Sequence, residues 1–239
     1  MEDMRMSLIN HLDELRKRVI IISLAIIVGS LVSYAYIDLI IDLIVKPAKN
    51  LEFIYLSPPE LFLAYVKISL AVGAMIASPI VLVQIWLFIK PGLKKRERKY
   101  LLFALFMGIV FFAMGTSFAY FIIIPMTIDF FVKMAVDGIA PLFSFANYIS
   151  FCSSLLFSFG LVFQLPLLII LLSQLNLVSS KTFKGYRKIF VLLIFIVAAV
   201  LTPPDVVSQV LMAGPMILLY EFSVMIAVII EKRRRKKKK

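Results

Sequence analysis

Charged side chains in this chain fall in clusters separated by long apolar runs. None occurs in residues 19–37, 68–89 or 100–128. A charge at the centre of a bilayer costs several kcal/mol, and roughly 17–25 apolar residues are enough for a helix to cross. These runs therefore predict membrane spans at about 19–37, 68–89 and 100–124. Residues 138–180 are also uncharged, and Pro141, Asn147 and the polar group Gln174, Asn176, Ser179 and Ser180 confine a fourth span to about 148–173. The runs 189–204 and 206–230, the second interrupted only by Glu221, flank the turn-forming tetrapeptide Thr202-Pro203-Pro204-Asp205. They predict a fifth span at 189–203 and a sixth at 206–230, short or tilted and joined tightly.

Two further segments carry helical periodicity with a polar face. Leu8, Leu12, Leu15 and Val19 form one stripe, so residues 1–18 read as an amphipathic helix leading into the first span. In residues 37–45, Asp38 and Asp42 share a face of an otherwise apolar stretch, which predicts a helix lying on the outer membrane surface and ended by Pro47. The fold class is all-α: a single transmembrane domain over residues 1–239, with six spans and a basic tail at 231–239.

Composition agrees. Of 239 residues, 62% are hydrophobic and 17% charged, with a mean hydropathy of +1.00, against an apolar share of roughly 45–50% in soluble domains. The formal net charge is +12, which in a soluble protein would suggest nucleic acid. Here the basic residues follow the membrane. Four precede the first span, six follow the second, four follow the fourth and eight form the tail, so that 22 of 26 lie on one side. Lys46, Lys49, Lys67 and Lys133 remain for the other. The positive-inside rule then places both termini in the cytoplasm, in an inner-membrane protein with no nucleic-acid partner.

Chemistry is sparse. His11 is the only histidine and Cys152 the only cysteine, in an apolar stretch that suits packing. Catalytic triads, HExxH sites and cysteine-based metal sites are thereby excluded within one chain, and neither enzyme activity, metal nor cofactor is expected. Two acids stand among bases on the cytoplasmic side. Glu14 is close to Arg16, Lys17 and Arg18, and Glu97 is the one acid among six bases in the loop after the second span. Each has two readings. Glu14 and Arg18 suit an i, i+4 ion pair, and Glu97 suits charge compensation on a solvated turn. Alternatively both carboxylates are ports for an incoming guanidinium, which a carboxylate grips through two parallel hydrogen bonds. Glu221 is the one carboxylate midway along a span, where packing and function are both open.

Several motifs resemble the TatC family of twin-arginine translocase subunits. They are His11-Leu12-Asp13-Glu14-Leu15-Arg16-Lys17-Arg18; Ser78-Pro79 with Gln84-Ile85-Trp86-Leu87-Phe88-Ile89-Lys90-Pro91-Gly92-Leu93 and Glu97-Arg98; Phe118-Ala119-Tyr120-Phe121 with Pro125; Phe159-Gly160 with Phe163 and Pro166; and Leu201-Thr202-Pro203-Pro204-Asp205. They stand in the family's order over nearly the whole chain. The resemblance implies a concave, glove-like six-helix protein that binds signal peptides bearing paired arginines, on folded precursors, and assembles with the single-span subunits TatA and TatB; self-association is left open. By the same resemblance the recognition acids are Glu14 and Glu97, with Leu15, Arg16, Phe88 and Pro79 nearby. Pro47 and Asp205 also occupy family positions, with helix termination and turn formation as their simpler roles. In the fourth span the family usually has Glu where this chain has Gln164, so an intramembrane polar site is implied without its negative charge.

Two other classes compete with a receptor for protein export. A small-solute transporter calls for several charges inside spans and an internal repeat, neither of which is found. An intramembrane hydrolase calls for a His in a span, a GxSG turn or paired intramembrane Asp, which are lacking too.

Overall fold

A computed structural model describes residues 2–49, 51–55, 57–90, 98–134, 142–175, 177–201 and 206–236. The first helix, α1 (Glu2–Ala35), runs unbroken from the amphipathic segment through the first apolar run, so the two expected elements are one helix. After Tyr36, α2 (Ile37–Val45) buries Ile40 and Ile44 and exposes Asp38 and Asp42. It gives way to a 3₁₀ turn, Lys46–Ala48, whose first turn holds Pro47. Helix α3 (Pro58–Ile89) starts well before the second apolar run, behind Pro58 and Pro59.

The third span is composite. Helix α4 (Arg98–Phe118) passes through a π-helical turn, Ala119–Ile123, into α5 (Ile124–Lys133). Pro125 gives the reason: its ring cannot tolerate the carbonyl four residues earlier in a regular helix, and a wider turn relieves the clash. The fourth span is likewise two helices, α6 (Phe145–Val162) and α7 (Leu165–Gln174), with Pro166 in the first turn of α7. A short α8 (Ser180–Gly185) leads into α9 (Arg187–Leu201) and then α10 (Val206–Lys236), which carries the sixth apolar run on into the basic tail.

Among the described residues, five helical stretches are long and apolar enough to cross a bilayer: His11–Ala35, Pro58–Ile89, Phe103–Lys133, Phe145–Gln174 and Gln209–Arg233. The chain is a polytopic helical membrane protein. With 15 residues, α9 rises only about 22 Å, short of the roughly 30 Å hydrocarbon layer.

Helix α6 lies at the centre. Ile149, Cys152, Leu155 and Phe159 on it are almost wholly buried, in one core with Ile68 of α3 and Ile124 of α5, which continues into Met212, Met216 and Tyr220 where α10 packs on α7. Helices α1 and α3 flank this core and expose apolar side chains such as Leu24, Val28, Leu63 and Leu70, as lipid-facing helices do. Between these two helices the backbones touch. A methyl group at Gly29 would stand 2.7 Å from the carbonyl oxygen of Gly73, the close approach that small residues permit between membrane helices. Span three meets α6 in the same way, where a methyl group at Gly115 would collide with the backbone carbonyl of Phe159.

At the membrane face opposite the chain's N-terminus, Phe53–Ile54 (β1) and Phe143–Ser144 (β2) pair in parallel. Ser144 caps α6 by accepting from the Asn147 N–H at 3.3 Å and donates to Glu60 Oε1 at 2.8 Å. The last carbonyls of α2, which have no partner within their own helix, accept from Tyr120 at Leu43 (2.7 Å) and from Tyr148 at Ile44 (2.6 Å). These bonds hold α2 to spans three and four.

Candidate functional site

Antiparallel packing of α1 on α3 determines what stands beside Glu14. From the Gly29–Gly73 contact the seam runs back through Arg18 and Gln84 to His11 and Phe88, whose rings stack with centroids 4.6 Å apart. Glu14 lies one turn from each of these pairs. Its carboxylate accepts from Arg18 Nη2 at 3.0 Å, and the same guanidinium donates through Nη1 to Gln84 Oε1 at 2.8 Å. The side chains of Arg18 and Glu14 keep 24% and 30% of their exposure, so the pair is open to exchange with solvent or a ligand. The ion-pair reading of Glu14 is therefore realised, with an addition that spacing within one helix could not reveal: a carboxamide from α3 holds the other edge of the guanidinium.

Leu15 and Arg16 are exposed on the next positions of α1, and Phe88 is half-buried under His11. Glu14 and Phe88 lie at the end of the α1–α3 seam, whereas Leu15 and Arg16, roughly 100° and 200° farther round α1 from Glu14, do not share its face. Pro79 lies away from that end. It sits inside α3, nine residues from Phe88, or about 13 Å along the helix axis. Glu97 and Asp205 lie outside the described residues. Pro47, in the turn after α2, is at the far membrane face beside buried Ala48.

The two intramembrane polar positions are separate from this seam and from each other. Gln164 occupies the break between α6 and α7, and its Nε2 donates to the backbone carbonyl of Gly108 on α4 at 3.0 Å. Gly108 makes room for it, since a methyl group there would stand 3.2 Å from Gln164 Oε1. Glu221 lies midway along α10, level with the first turn of α9, where Arg187 Nε approaches Glu221 Oε1 to 2.5 Å. An apolar cavity of about 640 Å³, lined by Phe118, Phe163, Pro215, Leu218 and Phe222, reaches Glu221. Among the described residues no three His, Cys, Asp or Glu side chains gather as a metal site would require.

Sequence reasoning missed Gln84 and Arg187 as partners. Gln84 had a readable signal, a carboxamide within the charge-free run 68–89, where a polar group needs a partner. Arg187 had none, because it stands at a basic loop among similar residues.

Residues 10–215 match the family described as Sec-independent protein translocase protein (TatC). A protein of that name from Carboxydothermus hydrogenoformans is 40% identical over 230 residues, which cover 95% of either chain. Another, from Aquifex aeolicus, is 36% identical over 227 residues, covering 92% of this chain and 94% of the relative. A crystal structure of the twin-arginine translocase receptor TatC in DDM superposes with a TM-score of 0.82 at 37% identity, covering 91% of this chain and 99% of that one. A second crystal structure of such a receptor gives 0.83 at 36% identity, covering 92% and 98%.

Proposed function

Because this chain belongs to the TatC family of Sec-independent protein translocase proteins, we propose that it is the receptor that binds twin-arginine signal peptides at the cytoplasmic end of the α1–α3 seam. The observation that carries this reading is the guanidinium held between the Glu14 carboxylate and the Gln84 carboxamide. A place that binds one guanidinium by its planar, two-edged geometry has the chemistry to bind another. Glu97, in the loop that follows α3, is the second acid for the second arginine. His11 and Phe88 provide apolar surface beside the charges. The hydrophobic stretch of a signal peptide needs an apolar bed, and the cavity flanked by Phe118, Phe163 and Phe222 is one such surface.

On this reading the protein carries out no covalent chemistry. It recognises folded precursors by their signal peptides and gathers the single-span subunits TatA and TatB around them. The skew of basic residues favours the inner membrane with both termini in the cytoplasm. Crosslinking of the purified protein to a signal peptide with Arg-Arg, compared with the same peptide carrying Lys-Lys, tests recognition. Strong crosslinking of the first and weak crosslinking of the second is expected, because ammonium groups lack the two-edged fit. Equal crosslinking of the two would refute it.

A further inference from the structure

The mismatch between α9 and its neighbour makes a site that recognition of a signal peptide does not use. Helix α9 begins only at Arg187, whereas α10 beside it continues to Lys236. With a rise of about 22 Å for α9 against roughly 30 Å of hydrocarbon, a notch is left against α10 on the membrane face that carries the basic tail. A cavity of about 380 Å³ lies there. Lys184 and Arg187 form its polar wall, and Val224, Met225 and Val228 of α10 form its apolar wall.

The acids in the neighbourhood are already engaged. Glu221, at the cavity, is paired with Arg187 through Nε. Glu231 accepts from the backbone N–H of Ser180 at 3.0 Å and from its hydroxyl. Tyr220 directs its hydroxyl away, to the carbonyl of Phe183 at 2.7 Å. Lys184 has no acidic partner among the described residues and is exposed, and the Arg187 side chain keeps 61% of its exposure. Lys181, Lys188, Lys232 and Arg233 are exposed nearby on the same elements, so the local field is positive. Basic clusters at this depth attract anionic headgroups, and a bilayer next to a short helix must thin or dip to meet it.

We propose that this cavity binds one anionic phospholipid of the basic-side leaflet. Its phosphate rests on Lys184 and on the Arg187 N–H groups other than Nε, and an acyl chain lies along Val224, Met225 and Val228. The lipid fills the notch that α9 leaves, and it holds α8 and α9 against α10 at the point where Glu221 and Arg187 meet. Two features select a lipid over a free anion. The polar wall is continuous with an apolar one, and Met225 is itself exposed in the direction an acyl chain would follow.

Native mass spectrometry of the purified full-length chain in detergent tests this, with dioleoyl phosphatidylglycerol, dioleoyl phosphatidylcholine and inorganic phosphate as probes. One retained phosphatidylglycerol per chain is expected, with phosphatidylcholine retained more weakly and millimolar phosphate unable to displace the lipid. Lys184→Gln, which leaves the Arg187–Glu221 pair intact, should weaken retention roughly fivefold, the share of one basic side chain at a membrane surface. The paired change Arg187→Gln with Glu221→Gln, which strands no charge, should weaken it to a similar degree. Lys188→Gln, outside the cavity, should leave it within about twofold. Equal retention of the two lipids, displacement by phosphate alone, or an equal loss on Lys188→Gln would overturn the proposal. Monodisperse elution of each variant separates these outcomes from misfolding.

Discussion

Arg18 on α1 donates to Gln84 on α3 across 2.8 Å while its other terminal nitrogen remains on Glu14. The acid proposed to receive a signal-peptide arginine is thus occupied by an arginine of the protein itself. Partly exposed ion pairs of this kind contribute only about 0.2–1 kcal/mol, so an incoming guanidinium can displace the resident one. Replacing Arg18 by Gln removes the competitor. Affinity for a labelled Arg-Arg signal peptide, measured by fluorescence anisotropy, is expected to rise by up to about fivefold. A fall in affinity would mean that Arg18 instead orients Glu14 for the ligand.

Loss of the acids should act in the opposite direction. Glu97→Ala is expected to weaken peptide binding, and Glu14→Ala with Glu97→Ala to weaken it further, by more than about tenfold for two charge-assisted contacts at ~1.5 kcal/mol or more each. Glu14 is partly exposed, and surface substitutions usually shift stability within about 0.5 kcal/mol. Unfolding midpoints close to the parent's should therefore accompany the loss, and unchanged affinity in the double variant would remove both acids from recognition.

Gln164 supplies a neutral bond inside the membrane, from its Nε2 to the Gly108 carbonyl. A protonated carboxylic acid can donate the same bond, so Gln164→Glu is expected to support export. Gln164→Leu loses it, and hydrogen bonds between membrane helices are worth about 0.6 kcal/mol on average and ~1.7 at most. A modest drop in thermal stability is expected, together with impaired export of a twin-arginine substrate by cells holding this variant as their only copy. Full export with the Leu variant would leave the position as a space-filler beside Pro166.

The Gly29–Gly73 contact has no room for a methyl group. Because backbone rather than a flexible side chain stands in the way, Gly73→Ala should force α1 and α3 apart and cost roughly 1–3 kcal/mol, as overpacking does. Thermal unfolding in detergent reads the loss directly. Parting the helices also separates Arg18 from Gln84, so the Arg18→Gln gain in affinity should shrink when combined with Gly73→Ala.

Topology can be mapped without removing the native cysteine, because Cys152 is fully buried. Single cysteines at Glu52 and Asp137 are expected to react with a membrane-impermeant maleimide added outside intact cells, and ones at Arg96 and Lys184 only after the inner membrane is opened. Labelling of residue 96 from outside would invert the orientation inferred from the basic residues.

Much of the helical plan was legible because charges cannot sit in hydrocarbon: the gaps between Arg18 and Asp38 and between Lys67 and Lys90 bracket apolar helices whatever packs around them. The break between α6 and α7 was not read: Gln164 and Pro166 interrupt what the sequence predicts as one helix over about 148–173. The continuity of α1 was not legible. Nothing between Glu2 and Ala35 breaks a helix except Gly29, and a change from amphipathic to apolar sequence looks like a boundary when it is only a change of surroundings. At the candidate site, the family resemblance named Glu14 and Phe88, which the fold brings to the α1–α3 seam. Gln84 and Arg187 owe their roles to neighbours on other helices, and an i, i+4 pattern carries no information about such partners.

The pairing of Phe53–Ile54 with Phe143–Ser144 joins positions ninety apart in the chain. Its consequence is one of timing. At roughly 5–20 residues per second, on the order of 5–20 s of synthesis separates the emergence of one strand from that of the other. The α1–α3 hairpin, whose contacts are more local, has all its residues once Ile89 has emerged, well before Phe143 is made. The order of assembly is thus written into the spacing: the surface beside Glu14 can form on a nascent chain whose opposite rim is still open, and the clasp closes that rim only after span three has been threaded through the membrane.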